Sequence, residues 1–442
     1  MTEAQTTMNL LLQAGRLLLE HNESTAQIHR TLKATARAVT GDICHIAVAY
    51  RGLTVSLPGE MPVHEDIREL RYNMAVQARV HEILDRLRHG KLEPDMALSL
   101  LRAVERESPR YSRWLSATLL GLAASALAGL LGADAGAAAI AGLATALGLL
   151  ARQELGKRHY SLLLLPFVAA LIGAVLGGAA IRLGWTQSPA LALIVPALMI
   201  VPGPHLINGL FDLIDNHVPM SLSRFGLAGG ILLASALGIL VGVELMLPTA
   251  HFAERNAVGL KLNLVSDMAL AGVVTCGFAV FYNTPGRQLW MVALSGMAGH
   301  GLRFLALKSG CWLETATFLG GLIVGGLAAW MGRSRKTPIA VIAFAGAVTM
   351  IPGLSLYRAL GGALQLARQL YGADSELVAA TLGSGLQGCL VVAALALGVI
   401  LGAHAVGAMA RSTNLDVGGQ TAHATPRTTD RPLTQEPLRT SG

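Results

Sequence analysis

Between Leu191 and Ile214 the chain reads LALIVPALMIVPGPHLINGLFDLI, and between Ala340 and Leu360 it reads AVIAFAGAVTMIPGLSLYRAL. Each is an apolar run long enough to enter a bilayer. Each is cut in the middle by a hydrophobe-Pro-Gly triplet, Val201-Pro202-Gly203 and Ile351-Pro352-Gly353, and the two triplets are 150 residues apart. Proline removes a backbone donor and clashes with the turn before it; glycine permits dihedrals other residues avoid. A span broken at mid-depth survives only where protein or a water-filled cavity completes its hydrogen bonds. The half-helix that follows each break also points its positive end back at it. Two such breaks facing each other would make a polar, anion-attracting chamber near the midplane.

Working outward, apolar stretches fall near 114–131, 135–151, 161–182, 189–211, 224–247, 265–282, 288–306, 312–331, 338–358 and 377–408. That predicts about ten transmembrane helices. With the breaks in the fourth and ninth, the ten divide into two sets of five. Five is odd, so the second set starts on the opposite face, and the expected architecture is a pair of inverted repeats. The predicted division is 1–113, a soluble N-terminal domain; 114–247, membrane repeat one; 265–408, membrane repeat two; and 411–442, a disordered polar tail.

Composition agrees. Of 442 residues, 53% are hydrophobic and 14% charged, with 50 glycines and a mean hydropathy of +0.53. Such a chain has too little polar surface for a water-soluble globule. Charge is concentrated in residues 1–113, about 26% charged, against about 8% in 114–410. The net charge of +7 gathers beside predicted spans, at Arg106, Arg110, Arg113, Arg333, Arg335 and Lys336. It therefore reads as the positive-inside signature and not as a nucleic-acid surface. Arg152, Lys157, Arg158, Arg224 and Arg287 fall in predicted cytoplasmic connections. Arg182, Arg255, Lys261, Arg303, Lys308, Arg358 and Arg368 fall in the outer ones. With Arg411 and the cations before the first span, the balance puts both termini in the cytoplasm.

In the N-terminal segment, residues 8–20 repeat leucine at helical spacing, and Asn22 or Ser24 can cap a second helix carrying Ile28 and Leu32. Residues 43–50 read as a strand buried on both sides. Arg51-Gly52 turns it into Leu53–Leu57 as a hairpin. Asp66–His89 and Pro94–Arg106 read as helices. His21, His45, His64 and His81 stand beside no nucleophile motif, so a regulatory or assembly module is expected, compatible with a homo-oligomer. No cysteine or histidine pattern has metal-ligand spacing, no loop binds ATP, and no cofactor is expected.

Candidate binding residues follow from the first break. His205, Asn208, Asp212 and Asp215 fall within about 80° of arc on one helix face. The matching positions after the second break include Ser355 and Arg358. An acidic face opposite an arginine suits a zwitterionic amino acid, the arginine taking its carboxylate. Asp212, Asp215, Glu244, Asp267, Glu314 and His300 are the intramembrane titratable groups, hence candidates for proton coupling.

The chain resembles the threonine/serine exporter family. The resemblance rests on Gly15-Arg16-Leu17-Leu18-Leu19, the run Leu101–Trp114, the stretch Val201–Ile214 with Arg224, Phe281-Tyr282-Asn283-Thr284-Pro285, Gly299-His300-Gly301 and Ile351-Pro352-Gly353. It covers residues 8–408. It implies a ten-span carrier of a bacterial-type inner membrane that exports threonine and serine, driven by the proton motive force. Two-subunit relatives are associated with succinate export, so a dicarboxylate exporter is the first alternative. A membrane-anchored hydrolase with its site in the N-terminal domain, and a passive channel, are the others.

Overall fold

The computed structural model describes residues 3–67, 70–108, 110–247, 262–335, 337–369 and 374–421. Arg255, Lys261 and Lys336 lie outside the described residues, as does the tail beyond Thr421.

The N-terminal unit has four helices, α1 (Glu3–Glu20), α2 (Thr25–Thr40), α3 (Met74–Arg88) and α4 (Pro94–Arg106). With them goes an antiparallel sheet in the order β1 (His45–Ala49), β2 (Gly52–Ser56), β3 (Val63–Asp66). Helix α1 is the hub, packed against α2, α3, α4, β2 and β3. Its leucines Leu10, Leu11, Leu17, Leu18 and Leu19 are buried in a cluster with Ile28, Leu32, Leu53 and Val80, apart from the larger core of the remaining helices. Gly15 lets β2 close on α1, because a side chain there would run into Leu53 and Leu32. Next to it, Arg16 reaches Glu65 at 3.0 Å and Glu105 at 2.6 Å, tying α1 to β3 and α4.

Two expectations are corrected here. β1 is the sheet edge, with its alternate residues exposed, and β2 holds the centre. The helix expected from Asp66 begins at Met74, capped by the Asn73 side chain, because Val63–Asp66 pairs with β2 as a third strand.

His21 closes α1. Its Nδ1 lies 2.8 Å from the Leu17 carbonyl, and burial lowers its pKa from 6.5 to about 4. The fold therefore holds the neutral imidazole. Its contribution is intact above pH 6.5 and is lost as pH falls from 6.5 towards 4, at roughly 1.4 kcal/mol per pH unit. Hydrogen exchange of α1 amides at pH 6.5 and 5.0, corrected for intrinsic rates, should show opening easier by about 2 kcal/mol. In His21→Gln that increment should vanish.

Six helices follow: α5 (Arg113–Leu130), α6 (Ala135–Lys157), α7 (Leu164–Arg182), α8 (Pro189–Leu198), α9 (Gly203–Ile214) and α10 (Val218–Met246). Six more complete the chain: α11 (Leu264–Phe281), α12 (Leu289–Lys308), α13 (Leu313–Arg335), α14 (Ile339–Ala347), α15 (Gly353–Gln369) and α16 (Ser375–Thr421). Among the described residues, seven are long and apolar enough to cross a membrane. The pairs α8–α9 and α14–α15, bent by 59° and 56° at their breaks, bring the number to nine. The tenth expected span is α12, a helix of 20 residues in the expected place whose apolarity His300, Arg303 and Lys308 reduce.

The two sets pack alike. In the first, α6 lies between α5 and α7, α7 against α10, α10 against α9, and α8 against α6 and α7. In the second, α12 lies between α11 and α13, α13 against α16, α16 against α15, and α14 against α12 and α13. Small residues recur at equivalent contacts: Gly148 of α6 abuts Ala169 of α7, and Gly299 of α12 abuts Gly320 of α13. Between the sets, α5 meets α11, α10 meets α15 and α9 meets α16, so each half of the molecule grips the other through matching elements.

Candidate functional site

The breaks are built alike. In each, the glycine amide turns back on the residue before proline: Gly203 N donates to Val201 O and Gly353 N to Ile351 O, both at 2.8 Å. The next helix then starts from the proline carbonyl, with Leu206 N on Pro202 O and Leu356 N on Pro352 O, both at 3.1 Å. The two breaks touch. A side chain at Gly203 would strike Ile351, and one at Gly353 would lie 3.0 Å from both Leu198 and Val201. Tyr357, one turn into α15, donates its hydroxyl to the Ala197 carbonyl of α8 at 3.1 Å. Apolar side chains fill the junction, so the crossing is closed in this conformation.

The α9 face predicted from sequence is buried, and the N-terminal unit covers it. His205 is 2% exposed, and Asn208 and Asp212 are fully buried. Asp212 accepts from the Thr25 amide at 2.9 Å, and its second oxygen lies 2.9 Å from Arg224 Nε of α10. Arg224 also bonds the Asn22 side chain, and donates to the Glu23 carbonyl at 2.7 Å. Asn208 Nδ2 donates to the Asn22 carbonyl at 2.5 Å, and Tyr72 lies over His205 with ring centroids 5.3 Å apart. Asn22 and Ser24 thus serve differently from a simple cap. Ser24 precedes α2 without a side-chain cap bond, while Asn22, in a left-handed turn at φ 65°, presents its groups to the membrane unit. Arg224, expected in a loop, is fully buried.

The other candidates are scattered. Asp215 is exposed in the turn after α9, and Arg358 is exposed on α15. Ser355 is buried and donates to Gln387 at 3.1 Å. Glu244 and Arg368, both half exposed, pair at 2.6 Å. Glu314 is half buried in the first turn of α13. Asp267 and His300 come together: His300 Nδ1 lies 2.7 Å from Asp267 Oδ2, and Arg303 Nη1 lies 3.3 Å from His300 Nε2. With arginine donating to Nε2, the proton of the neutral ring sits on Nδ1 and points at the carboxylate. No group of three His, Cys, Asp or Glu side chains able to hold a metal occurs among the described residues.

Sequence reasoning missed Arg152. It was counted among loop charges, but α6 continues to Lys157. Arg152 lines a void of ≈ 10 Å³ with Thr145, Gly148, Pro196, Met199 and Ile200, at the end of α8 beside the first break. The available signal was the spacing Gly148-x-x-x-Arg152, which recurs as Gly299-x-x-x-Arg303 on the equivalent helix. A larger cleft of ≈ 830 Å³ opens between α3 and the Asn283-Thr284-Pro285-Gly286 turn. There Met74 N donates to Tyr282 O at 2.8 Å, and the Tyr111 hydroxyl to Thr284 O at 2.9 Å.

A multi-pass helical membrane protein whose two matched helix sets cross through broken spans, with buried charge beside the crossing, is built as a transport protein. The threonine/serine exporter family model matches residues 9–246, and a second threonine/serine exporter model matches residues 267–405. The chain therefore belongs to the threonine/serine exporter family, with both exporter regions fused in one polypeptide. No solved structure matches it.

Proposed function

We propose that the protein is a secondary exporter of threonine and serine, driven by the proton motive force, in a bacterial-type inner membrane with both termini cytoplasmic. The observation that carries this reading is the contact of the two breaks, Gly203 against Ile351 and Gly353 against Leu198 and Val201. Two half-helix starts converge there, and the substrate passes when they part. Residues 114–247 and 265–408 act as inverted repeats that rock about this point, and residues 1–113 form a soluble cytoplasmic domain. Five crossings in each set, with α12 taken as the fifth of the second, and the matched packing support the inversion. The polar α9 face of His205, Asn208 and Asp212 is the cytoplasmic approach. The N-terminal turn closes it in this conformation, so export begins with its release. Ser355 and the second half-helix start lie on the other approach.

Asp267 and His300 are the groups best placed for coupling, buried and 2.7 Å apart at the start of α11 and within α12. Protonation of one changes the charge that Arg303 faces. In vesicles with an imposed pH gradient, Asp267→Asn should cut gradient-driven threonine efflux by at least about 10-fold while threonine/threonine exchange persists. Equal loss of both would assign Asp267 to structure.

The test of the function is efflux of labelled threonine from vesicles containing the reconstituted protein. Efflux should follow the proton gradient, fall with added serine and ignore succinate. Competition by succinate in place of serine would favour the dicarboxylate reading, and gradient-independent leak would favour a channel.

A further inference from the structure

The guanidinium of Arg152 is unusual in its company. Arg152 lines the void beside the first break, and the Phe281 ring centroid lies 6.0 Å from its guanidinium carbon. The titratable groups around it are the phenols of Tyr72, Tyr282 and Tyr357. No carboxylate lies within ion-pair distance of it among the described residues. Arg224, by contrast, has Asp212 at 2.9 Å. Arg152 is half buried. A cation held at a void in a membrane helix without a counter-ion is costly, and in membrane proteins it marks a place where an anion is received.

A second observation converges on the same void. Thr145 lines it and is 5% exposed, and its Oγ1 has no hydrogen-bond partner. Buried hydroxyls without partners are rare and call for an explanation. Thr145 and Arg152 are seven residues apart on α6, two turns, hence on one face. The opposite wall is Pro196, Met199 and Ile200, the end of α8 that leads into the break. Thus one cation and one unpartnered hydroxyl line a void at the end of α8, beside the break.

We propose that Arg152 and Thr145 form the carboxylate site of the exported small molecule. The fork of Arg152 takes both oxygens and Thr145 donates to one of them. This rests on the exporter reading and names the residue that recognises the acid group, a part that Arg358, exposed on α15, is not placed to play. At ≈ 10 Å³ the void has room for about one water molecule, so the closed crossing holds the site empty of substrate. It opens when Met199 and Ile200 withdraw with α8. The aromatic group of Tyr72, Phe281 and Tyr282 (their rings 5.4 Å apart in sequence of contact) then excludes water on the cytoplasmic side and strengthens the ion pair.

The experiment uses the full chain in detergent or vesicles, with threonine and its carboxylate-free analogue threoninol as probes. Wild type should bind threonine at least about 100-fold more tightly than threoninol. In Arg152→Gln the two affinities should come within a few-fold of each other. Thr145→Val should weaken threonine without strengthening threoninol. Arg158→Gln, at the exposed end of the same helix, should leave the ratio unchanged. Melting temperature separates a binding from a structural role. Because Arg152 lacks a protein counter-ion, Arg152→Met should melt at or above the wild-type temperature, whereas an arginine that holds the fold together would melt lower. Retained discrimination in Arg152→Gln, or destabilisation by Arg152→Met, overturns the proposal. If wild type ignores threonine but binds lactate or succinate in an Arg152-dependent way, the carboxylate site stands and the threonine reading fails. If wild type binds none of these acids, the site itself is refuted.

Discussion

Arg224→Met should undock the N-terminal unit from the membrane helices. The change leaves the Asp212 carboxylate fully buried beside a neutral side chain and strips the Asn22 and Glu23 contacts that Arg224 makes. Removing one partner of a buried ion pair costs about 3–5 kcal/mol. The expected readouts are a lower melting temperature and faster proteolysis between residues 107 and 113. Asp212→Leu alone should behave similarly, since it strands the Arg224 guanidinium. Asp212→Leu with Arg224→Met should recover a large part of the loss, a coupling of at least about 1.5 kcal/mol. Additive losses would mean the pair is not a unit. The same variants bear on regulation: if the N-terminal turn closes the cytoplasmic approach, the undocked Arg224→Met variant exports with a shorter lag than wild type.

The second large effect concerns the breaks. Gly203 faces Ile351 and Gly353 faces Leu198 and Val201 so closely that neither position has room for a side chain without movement. Gly203→Leu and Gly353→Leu wedge the broken spans, and misplacement on the scale of an ångström at a working site costs on the order of 100-fold in rate. Export should fall by about that factor with expression retained. Gly226→Leu on α10, where no atom lies within 4 Å of the added carbon, should be tolerated. Ile351→Ala should partly rescue Gly203→Leu by restoring the volume. Wild-type export from Gly203→Leu would show that the crossing does not carry substrate.

The breaks were legible because proline and glycine inside an apolar run leave the backbone few choices. The same local rule fixed α4, which spans the expected Pro94–Arg106. Strand β3 escaped because Val-His-Glu-Asp at 63–66 has no apolar alternation; it is held by its pairing with β2 and not by burial. Burial on both faces was expected of β1 because apolar residues follow one another after His45, whereas the fold places it at an edge.

The site was half legible. A periodic face picked out His205, Asn208 and Asp212, all of which are buried. Their partners Asn22, Thr25 and Arg224 lie elsewhere in the chain, and no local period reports such a contact. Arg152 and Arg224 were assigned to loops because charge near the end of an apolar run usually marks one. Here polar residues such as Gln153 and Glu154 extend α6 past the apolar stretch, so Arg152 stays on the helix and lines the void beside α8. Arg358 is the reverse case: a matched position in the repeat does not bring a matched environment, and its side chain is exposed where His205, Asn208 and Asp212 are buried.

The central claim is that substrate passes where the two broken spans meet, and one crosslinking measurement addresses it. With Cys44, Cys276, Cys311 and Cys389 replaced, Gly203→Cys and Ile351→Cys place two thiols at the crossing. After oxidation in vesicles, threonine export should stop, and a reducing agent should restore it. Export that continues at the reduced rate while the bond is intact would contradict the account.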